Sequence, residues 1–136
     1  MTIFCKKQRI LAVLLAFLFS ACASTVNISN DLSSAELIQR AQEATDRNRY
    51  NLALQYYEAL YNRNPDNIYL IITAEYEIAF IHYKQKKHYQ AREELTSLLE
   101  YYDTPDEELL PQQFKRLAQI VIQRIDEKNS PKSKKK

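Results

Sequence analysis

The side chains most often used in catalysis are few in this sequence and are poorly placed for it. The two histidines, His82 and His88, lie six positions apart on either side of a predicted turn, so they share no helix face. His82 is predicted to be a packed core residue rather than a ligand. The sequence contains neither a His-Glu-x-x-His nor a Cys-x-x-Cys motif, and no serine stands beside a plausible base.

The acidic residues are not arranged as two carboxylates facing each other across a cleft. Glu93-Glu94 and the run 106–108 are adjacent in sequence, and the second run suits the N-terminus of a helix. The chain has no glycine, so it lacks the loops that bring backbone N–H groups close to a phosphate or a dinucleotide. We therefore expect no enzyme activity, no metal site, no cofactor and no small-molecule substrate.

The first 24 residues have the pattern of an export signal. Residues 1–9 are basic, residues 10–19 form an unbroken apolar run, and small residues follow at positions 20–24. This order is typical of a secretory signal peptide. Ten apolar residues rise only about 15 Å as a helix, half of a bilayer core, which argues against a membrane span. We predict a signal peptide over residues 1–21.

Residues 19–22 (FSAC) resemble the lipobox of bacterial lipoproteins, in which the cysteine thiol is acylated and cleavage precedes the cysteine. The two small residues match, whereas the first residue departs from the usual leucine. The resemblance implies lipidation at Cys22, and the alternative is ordinary cleavage after Ala23. Cys5 lies in the segment to be removed, so no internal disulfide is expected. Residues 22–32 are predicted to be the lipidated N-terminus and a flexible tether.

Basic residues are concentrated at the two ends of the chain. Seven of the 19 Lys and Arg residues lie within residues 6–9 and 132–136, which leaves 12 basic against 17 acidic residues elsewhere. The body of the chain is acidic and lacks the excess of positive charge that attracts the phosphates of a nucleic acid, so no nucleic-acid partner is expected. Residues 129–136 are predicted to be a disordered Lys-rich tail, either solvated or in contact with anionic lipid or an acidic partner.

The body, residues 33–128, has the apolar spacing of helices and no useful run that alternates with a period of two. A capping box at residues 33–36 predicts the start of the first helix, and Asn64-Pro65-Asp66 the end of the second. The third helix is predicted from about Ile68 to Lys84. Thr104-Pro105-Asp106-Glu107 is another start signal and predicts the beginning of the fifth. The expected fold is all-α with five helices.

Small residues recur at equivalent places in the predicted helices. Ala53 and Ala91 come early in the second and fourth helices, each followed by large residues four and seven positions later. Ala41, Ala79 and Ala118 lie in the first, third and fifth helices. Small side chains at these points let neighbouring helices approach closely, so we expect the helices to stack in succession.

This pattern resembles the tetratricopeptide repeat (TPR), a helix–turn–helix unit of 34 residues. The matching residues are Tyr50, Ala53, Tyr57, Leu60 and Pro65 in a first repeat, Ile78, Ala79, His82, Ala91, Leu95 and Leu98 in a second, and Phe114, Leu117, Ala118 and Val121 in a last helix. The resemblance implies a TPR-like α-solenoid of about two repeats plus a C-terminal capping helix. It also implies that Asn48 and Lys86 occupy turns where the family uses glycine.

The first helices of TPR arrays line a concave groove that binds partner proteins. By resemblance, the groove of this chain would be formed by Ile38, Gln42, Tyr76, Phe80, Tyr83, Lys115, Gln119 and Ile122. The alternative is that Tyr76 and Phe80 simply pack beneath the last helix.

Export, acylation and a repeat array together predict an adaptor in a bacterial envelope. It would face the periplasm, bind other envelope proteins through the groove and be held on a membrane by acylated Cys22. Ala23 rather than Asp follows the cysteine, which favours the outer over the inner membrane. The phrase Ala74-x-Tyr76-x-x-Ala79 is similar to one in a longer TPR lipoprotein of the outer-membrane β-barrel assembly machinery. The alternatives are a pilotin-like accessory of a pilus or secretion system, a purely structural envelope lipoprotein, and a subunit of a periplasmic enzyme.

Overall fold

The computed structural model describes residues 26–130, which form five α-helices and contain no strand. The helices are α1 (Ser34–Asp46), α2 (Tyr50–Arg63), α3 (Ile68–Lys84), α4 (His88–Glu100) and α5 (Gln112–Asn129). Two 3-10 helices, Tyr101–Asp103 and Glu107–Leu109, lie between α4 and α5. The predicted all-α fold with five helices is confirmed. The predicted signal peptide, Cys22 and residues 131–136 of the predicted tail lie outside the described residues.

Side-chain caps fix the starts of α1 and α3. The Ser33 hydroxyl accepts a hydrogen bond from the Glu36 N–H, and the Glu36 carboxylate accepts one from the Ser33 N–H at 2.9 Å. These bonds from Ser33 lower the pKa of Glu36. At α3, the Asn67 side chain accepts from the Leu70 N–H at 3.2 Å. The predicted capping box and the predicted bounds of α3 are both confirmed.

The turns that follow α1 and α3 share one backbone geometry. Asn48 and Lys86 have φ angles of 56° and 64°, in the left-handed region that favours glycine. The hydrogen bonds are Arg49 N–H to Ala44 O at 2.8 Å, Asn48 N–H to Thr45 O at 3.0 Å, Lys87 N–H to His82 O at 3.0 Å and Lys86 N–H to Tyr83 O at 3.0 Å. This pair of bonds defines a Schellman motif at each helix end. Asn48 and Lys86 therefore do occupy glycine-type positions.

Helix α3 contributes to two buried clusters. The first joins it to α1 and α2 through Leu37, Ala41, Ala44, Ala53, Tyr56, Tyr57, Leu60, Ala74 and Ile81. The second joins it to α4 and α5 through Ile72, Tyr76, Ala79, Ala91, Leu95, Leu98, Tyr102, Phe114, Ala118, Val121 and Ile125. The five alanines predicted to allow close approach are all fully buried. Large side chains beside them fill the space between neighbouring helices.

Helix α5 does not begin at the predicted signal in residues 104–107. It begins at Gln112, and Pro111 precedes it. A proline disfavours helical geometry at the residue before it, and Leu110 accordingly has a ψ of 156°. A helix started at Pro105 therefore cannot continue through Leu110, and only the 3-10 helix Glu107–Leu109 forms there.

Residues 26–32, which fall within the predicted tether, lie against α2. The Arg63 guanidinium donates to the carbonyl oxygens of Ser29 at 3.1 Å and Ile28 at 3.2 Å. The Val26 N–H donates to the Gln55 side chain at 2.7 Å. Ile28 and Leu32 pack on the first cluster. Residues 26–32 are therefore packed on the helices, and residues 22–25 of the predicted tether lie outside the described residues.

Candidate binding surfaces

A row of rings runs along α3 and includes one ring of α5 and the His88 ring at the start of α4; we call it the aromatic row. Its members, in order, are Tyr69, Phe114, Tyr76, Phe80, Tyr83 and His88, and the centroids of successive rings lie 5.2–6.5 Å apart. Tyr76 and Phe114 are buried, Phe80 and Tyr83 are half-buried, and Tyr69 is 50% exposed. A partner can therefore reach Tyr69, Phe80 and Tyr83 but not Tyr76.

Two lysines lie over the accessible rings of the aromatic row. The Lys84 Nζ is 5.4 Å from the centroid of Phe80, and the Lys128 Nζ is 5.2 Å from that of Tyr83. Lys128 also donates to the Tyr83 hydroxyl at 3.5 Å. Cation–π contacts at exposed sites contribute about 0.5–1 kcal/mol each, so these lysines are loosely held and can turn to a partner. The accessible surface of the row is thus aromatic and cationic.

Burial raises the pKa of two groups at the row, its member Tyr76 and the neighbouring Glu77. It raises the pKa of Tyr76 to about 12, with a further contribution from the nearby Glu77 carboxylate. Burial likewise raises the pKa of Glu77, and the positive charge of Lys84 opposes this only in part. Glu77 is therefore an acid whose charged form the fold disfavours.

The residues predicted to form the groove lie in three places. Ile38 is half-buried against the first cluster, and Gln42 is exposed on α1. The three α3 residues, Tyr76, Phe80 and Tyr83, belong to the aromatic row. The three α5 residues lie along the side of α5 that faces α4. Lys115 forms an ion pair with Glu107 and lies over the Tyr102 ring at 5.7 Å, and Gln119 and Ile122 share a surface depression with Leu99.

The side of α5 that faces α3 includes three residues that the predicted groove did not contain. Gln113 donates to the Tyr69 hydroxyl at 3.5 Å, Lys128 contacts Tyr83, and the charge of Arg124 acts on Tyr76. The buried stripe of α5 sets its rotation, and the sequence showed that stripe. It did not show which flank of the stripe turns to α3 and which to α4.

His82 is 8% exposed, in agreement with the predicted core position. Its Nδ1 lies 2.7 Å from a carboxylate oxygen of Glu94 on α4, which helps to join α3 and α4. Within residues 26–130, no three His, Cys, Asp or Glu side chains are grouped so that they would hold a metal ion. The His82–Glu94 pair is therefore explained as a contact that joins two helices of the fold.

A groove of about 760 Å³ lies between α2 and α4, and we call it the α2–α4 groove. Five carboxylates line it, those of Glu58, Glu75, Glu93, Glu94 and Glu100, together with the apolar or aromatic side chains of Tyr61, Ile78 and Tyr101. On α3 the mean direction of residues 75 and 78 lies about 140° from that of residues 80 and 83, because successive residues turn by about 100°, and no residue of the aromatic row lines the groove. The groove and the aromatic row are therefore separate surfaces.

Comparison with known proteins gives one informative relative. The chain is 34% identical over 122 residues to an uncharacterized protein of Treponema pallidum (strain Nichols). The aligned part covers 88% of this chain and 49% of the relative, so the chain spans about half the length of the protein it matches. No family model and no solved structure matches the chain. Among the helices of residues 26–130, none combines the length and the apolar content that crossing a bilayer requires.

Proposed function

We propose that this protein is a TPR-like adaptor that binds a segment of another envelope protein on its aromatic row. The observation that carries the proposal is the row itself, in which the rings of Tyr69, Phe80 and Tyr83 are reachable and Lys84 and Lys128 lie over Phe80 and Tyr83. Aromatic side chains are enriched where proteins bind each other, because tyrosine supplies contact area and a polar tip together. The two lysines add a positive charge that selects a partner of complementary charge. A partner with apolar and acidic side chains would match this surface.

The helical pairs support the TPR-like interpretation. The turns after α1 and α3 have the same left-handed residue and the same hydrogen bonds, and Ala53 and Ala91 are buried at equivalent places in α2 and α4. Repeated pairs that pack on their neighbours form extended surfaces suited to binding. The lipobox-like residues 19–22 support anchoring through Cys22, with the domain facing the periplasm and the outer membrane favoured.

Site-specific crosslinking tests the binding surface. A photoreactive phenylalanine analogue replaces Phe80 in the native organism, and a control chain carries it at Gln39, which is exposed on α1. We expect a discrete crosslinked envelope protein from position 80 that is absent from position 39. Reversing the charge of Lys84 and Lys128 to Glu should abolish it, whereas the same reversal at Lys86 and Lys87 should not. Identical products from all these chains would refute binding at the row.

The identity of the captured protein decides between the pathways. Components of the β-barrel assembly machinery would support a role in outer-membrane protein assembly, and pilus or secretion subunits would support the pilotin-like alternative. Capture of nothing at position 80 would favour a purely structural lipoprotein. The anchor is tested separately with Cys22→Ser, which should move the protein from the membrane pellet to the soluble fraction. Continued sedimentation of the variant with membranes would refute the acyl anchor.

A further inference from the structure

The α2–α4 groove concentrates negative charge along its lining, and Arg92, the cation that the charge of Glu93 acts on, is not part of that lining. Its lining includes five glutamates and neither Lys nor Arg. Two of the five are engaged within the fold, since Glu75 accepts a hydrogen bond from the Tyr101 hydroxyl at 3.2 Å and Glu94 lies 2.7 Å from His82. Glu58, Glu93 and Glu100 are exposed and form no salt bridge within residues 26–130. A cleft lined by one sign of charge focuses its field and attracts groups of the opposite sign.

The same groove exposes apolar and aromatic surface between its carboxylates. Tyr61 of α2 is 40% exposed, and Ile78 of α3 and Tyr101 after α4 are half-buried along the lining. Most of the accessible lining surface is apolar. Glu75 is half-buried within this lining, and burial raises its pKa. A ligand that carried positive charge alone would leave the apolar surface uncovered.

We propose that the α2–α4 groove binds a peptide segment of a second partner in which Lys or Arg alternates with apolar side chains. The cations would pair with Glu58, Glu93 and Glu100, and the apolar side chains would cover Ile78 and the rings of Tyr61 and Tyr101. Arg and Lys also stack on tyrosine rings, which suits both tyrosines. The aromatic row is a separate surface and carries Lys84 and Lys128, so the two surfaces select segments of opposite charge.

The test measures binding of a fluorescein-labelled twelve-residue peptide that alternates Lys with Leu, by fluorescence anisotropy. The full chain is held in nanodiscs of neutral phosphatidylcholine, and empty nanodiscs give the background. Replacing Glu58, Glu93 and Glu100 with Gln should weaken binding about tenfold, because each of the three exposed ion pairs changes the affinity by roughly 1.5- to 5-fold. The matched control replaces Glu43, Glu108 and Glu127, which are exposed elsewhere, and should leave the affinity unchanged. Thermal melting confirms that both variants fold.

Three results would overturn the proposal. Equal weakening by both triple variants would mean that the peptide responds only to net charge. Equally tight binding of spermidine, which has charge but no apolar side chains, would mean that the groove does not recognise a peptide. A large gain in affinity on removal of residues 131–136 would mean that the chain's own Lys-rich segment is the occupant. Crosslinking from Phe80 does not depend on the groove, so failure here leaves the proposed function of the row standing.

Discussion

Replacing Lys86 with glycine should stabilise the protein through its backbone alone. Lys86 has a φ of 64°, a conformation that costs a residue with a Cβ roughly 1–2 kcal/mol and costs glycine almost nothing. Glycine also raises the entropy of the unfolded chain, and this offsets roughly 0.5–1 kcal/mol of the stability gained by relieving the backbone. The expected net gain is therefore about 0.5–1 kcal/mol, or a rise in Tm of about 3–6 °C for a domain of this size.

Urea unfolding followed by circular dichroism measures this gain, and two controls isolate its cause. Lys86→Ala removes the long side chain but keeps the Cβ, so it should change the stability little. Asn48→Gly should yield less than Lys86→Gly, because Asn tolerates the left-handed region and the Asn48 side chain accepts a 2.7 Å hydrogen bond from Tyr50. If Lys86→Ala stabilises as much as Lys86→Gly, the side chain and not the backbone is responsible, and the reasoning fails.

Three further changes test the packing. The buried Tyr57 hydroxyl has no hydrogen-bond partner within residues 26–130. Tyr57→Phe should therefore raise the free energy of unfolding in urea by about 1 kcal/mol. A loss of stability would show that the hydroxyl is hydrogen-bonded. Burial raises the pKa of Glu77 in the folded state, so its ionisation lowers the free energy of unfolding. This loss of stability is absent below the ordinary value of 4.5 and grows as the pH rises from there through the folded pKa. Glu77→Gln should therefore raise Tm at pH 7.5 but not at pH 4, and an equal rise at both would contradict this. Arg63→Ala should speed hydrogen exchange in residues 26–32 several-fold and leave α3 unchanged, and unaltered exchange in residues 26–32 would show that Arg63 does not hold that segment.

Features that depend on a few neighbouring residues were readable from the sequence. The capping box at residues 33–36 and the end of α2 before Pro65 follow from local chemistry, whereas the glycine-type turns at Asn48 and Lys86 were implied by the resemblance to the TPR. The buried alanines followed from helical spacing. One prediction from local residues was wrong, the start of α5. The start signal at residues 104–107 competes with Pro111, and the proline determines where α5 begins.

The binding surfaces depended on information that no short window contains. The aromatic row joins Tyr69 to Phe114, and Lys128 lies against Tyr83; the residues of each pair are 45 positions apart. Which flank of α5 meets α3 is fixed by how residues 101–111 pack, including the bond from the Tyr102 hydroxyl to the Pro111 carbonyl at 2.9 Å. The α2–α4 groove likewise draws its glutamates from three helices, so adjacency in sequence concealed it.

Helix α3 also decides how the protein can be divided. Its two sides are shared between the cluster with α1 and α2 and the cluster with α4 and α5. A fragment that kept α3 with only one of these pairs would expose Ile72 and Ala79 on one side, or Ala74 and Ile81 on the other. Neither pair is therefore a module that recombination could transfer alone. Gain or loss of length in this architecture is expected at the outer helices, with α3 retained as the common centre.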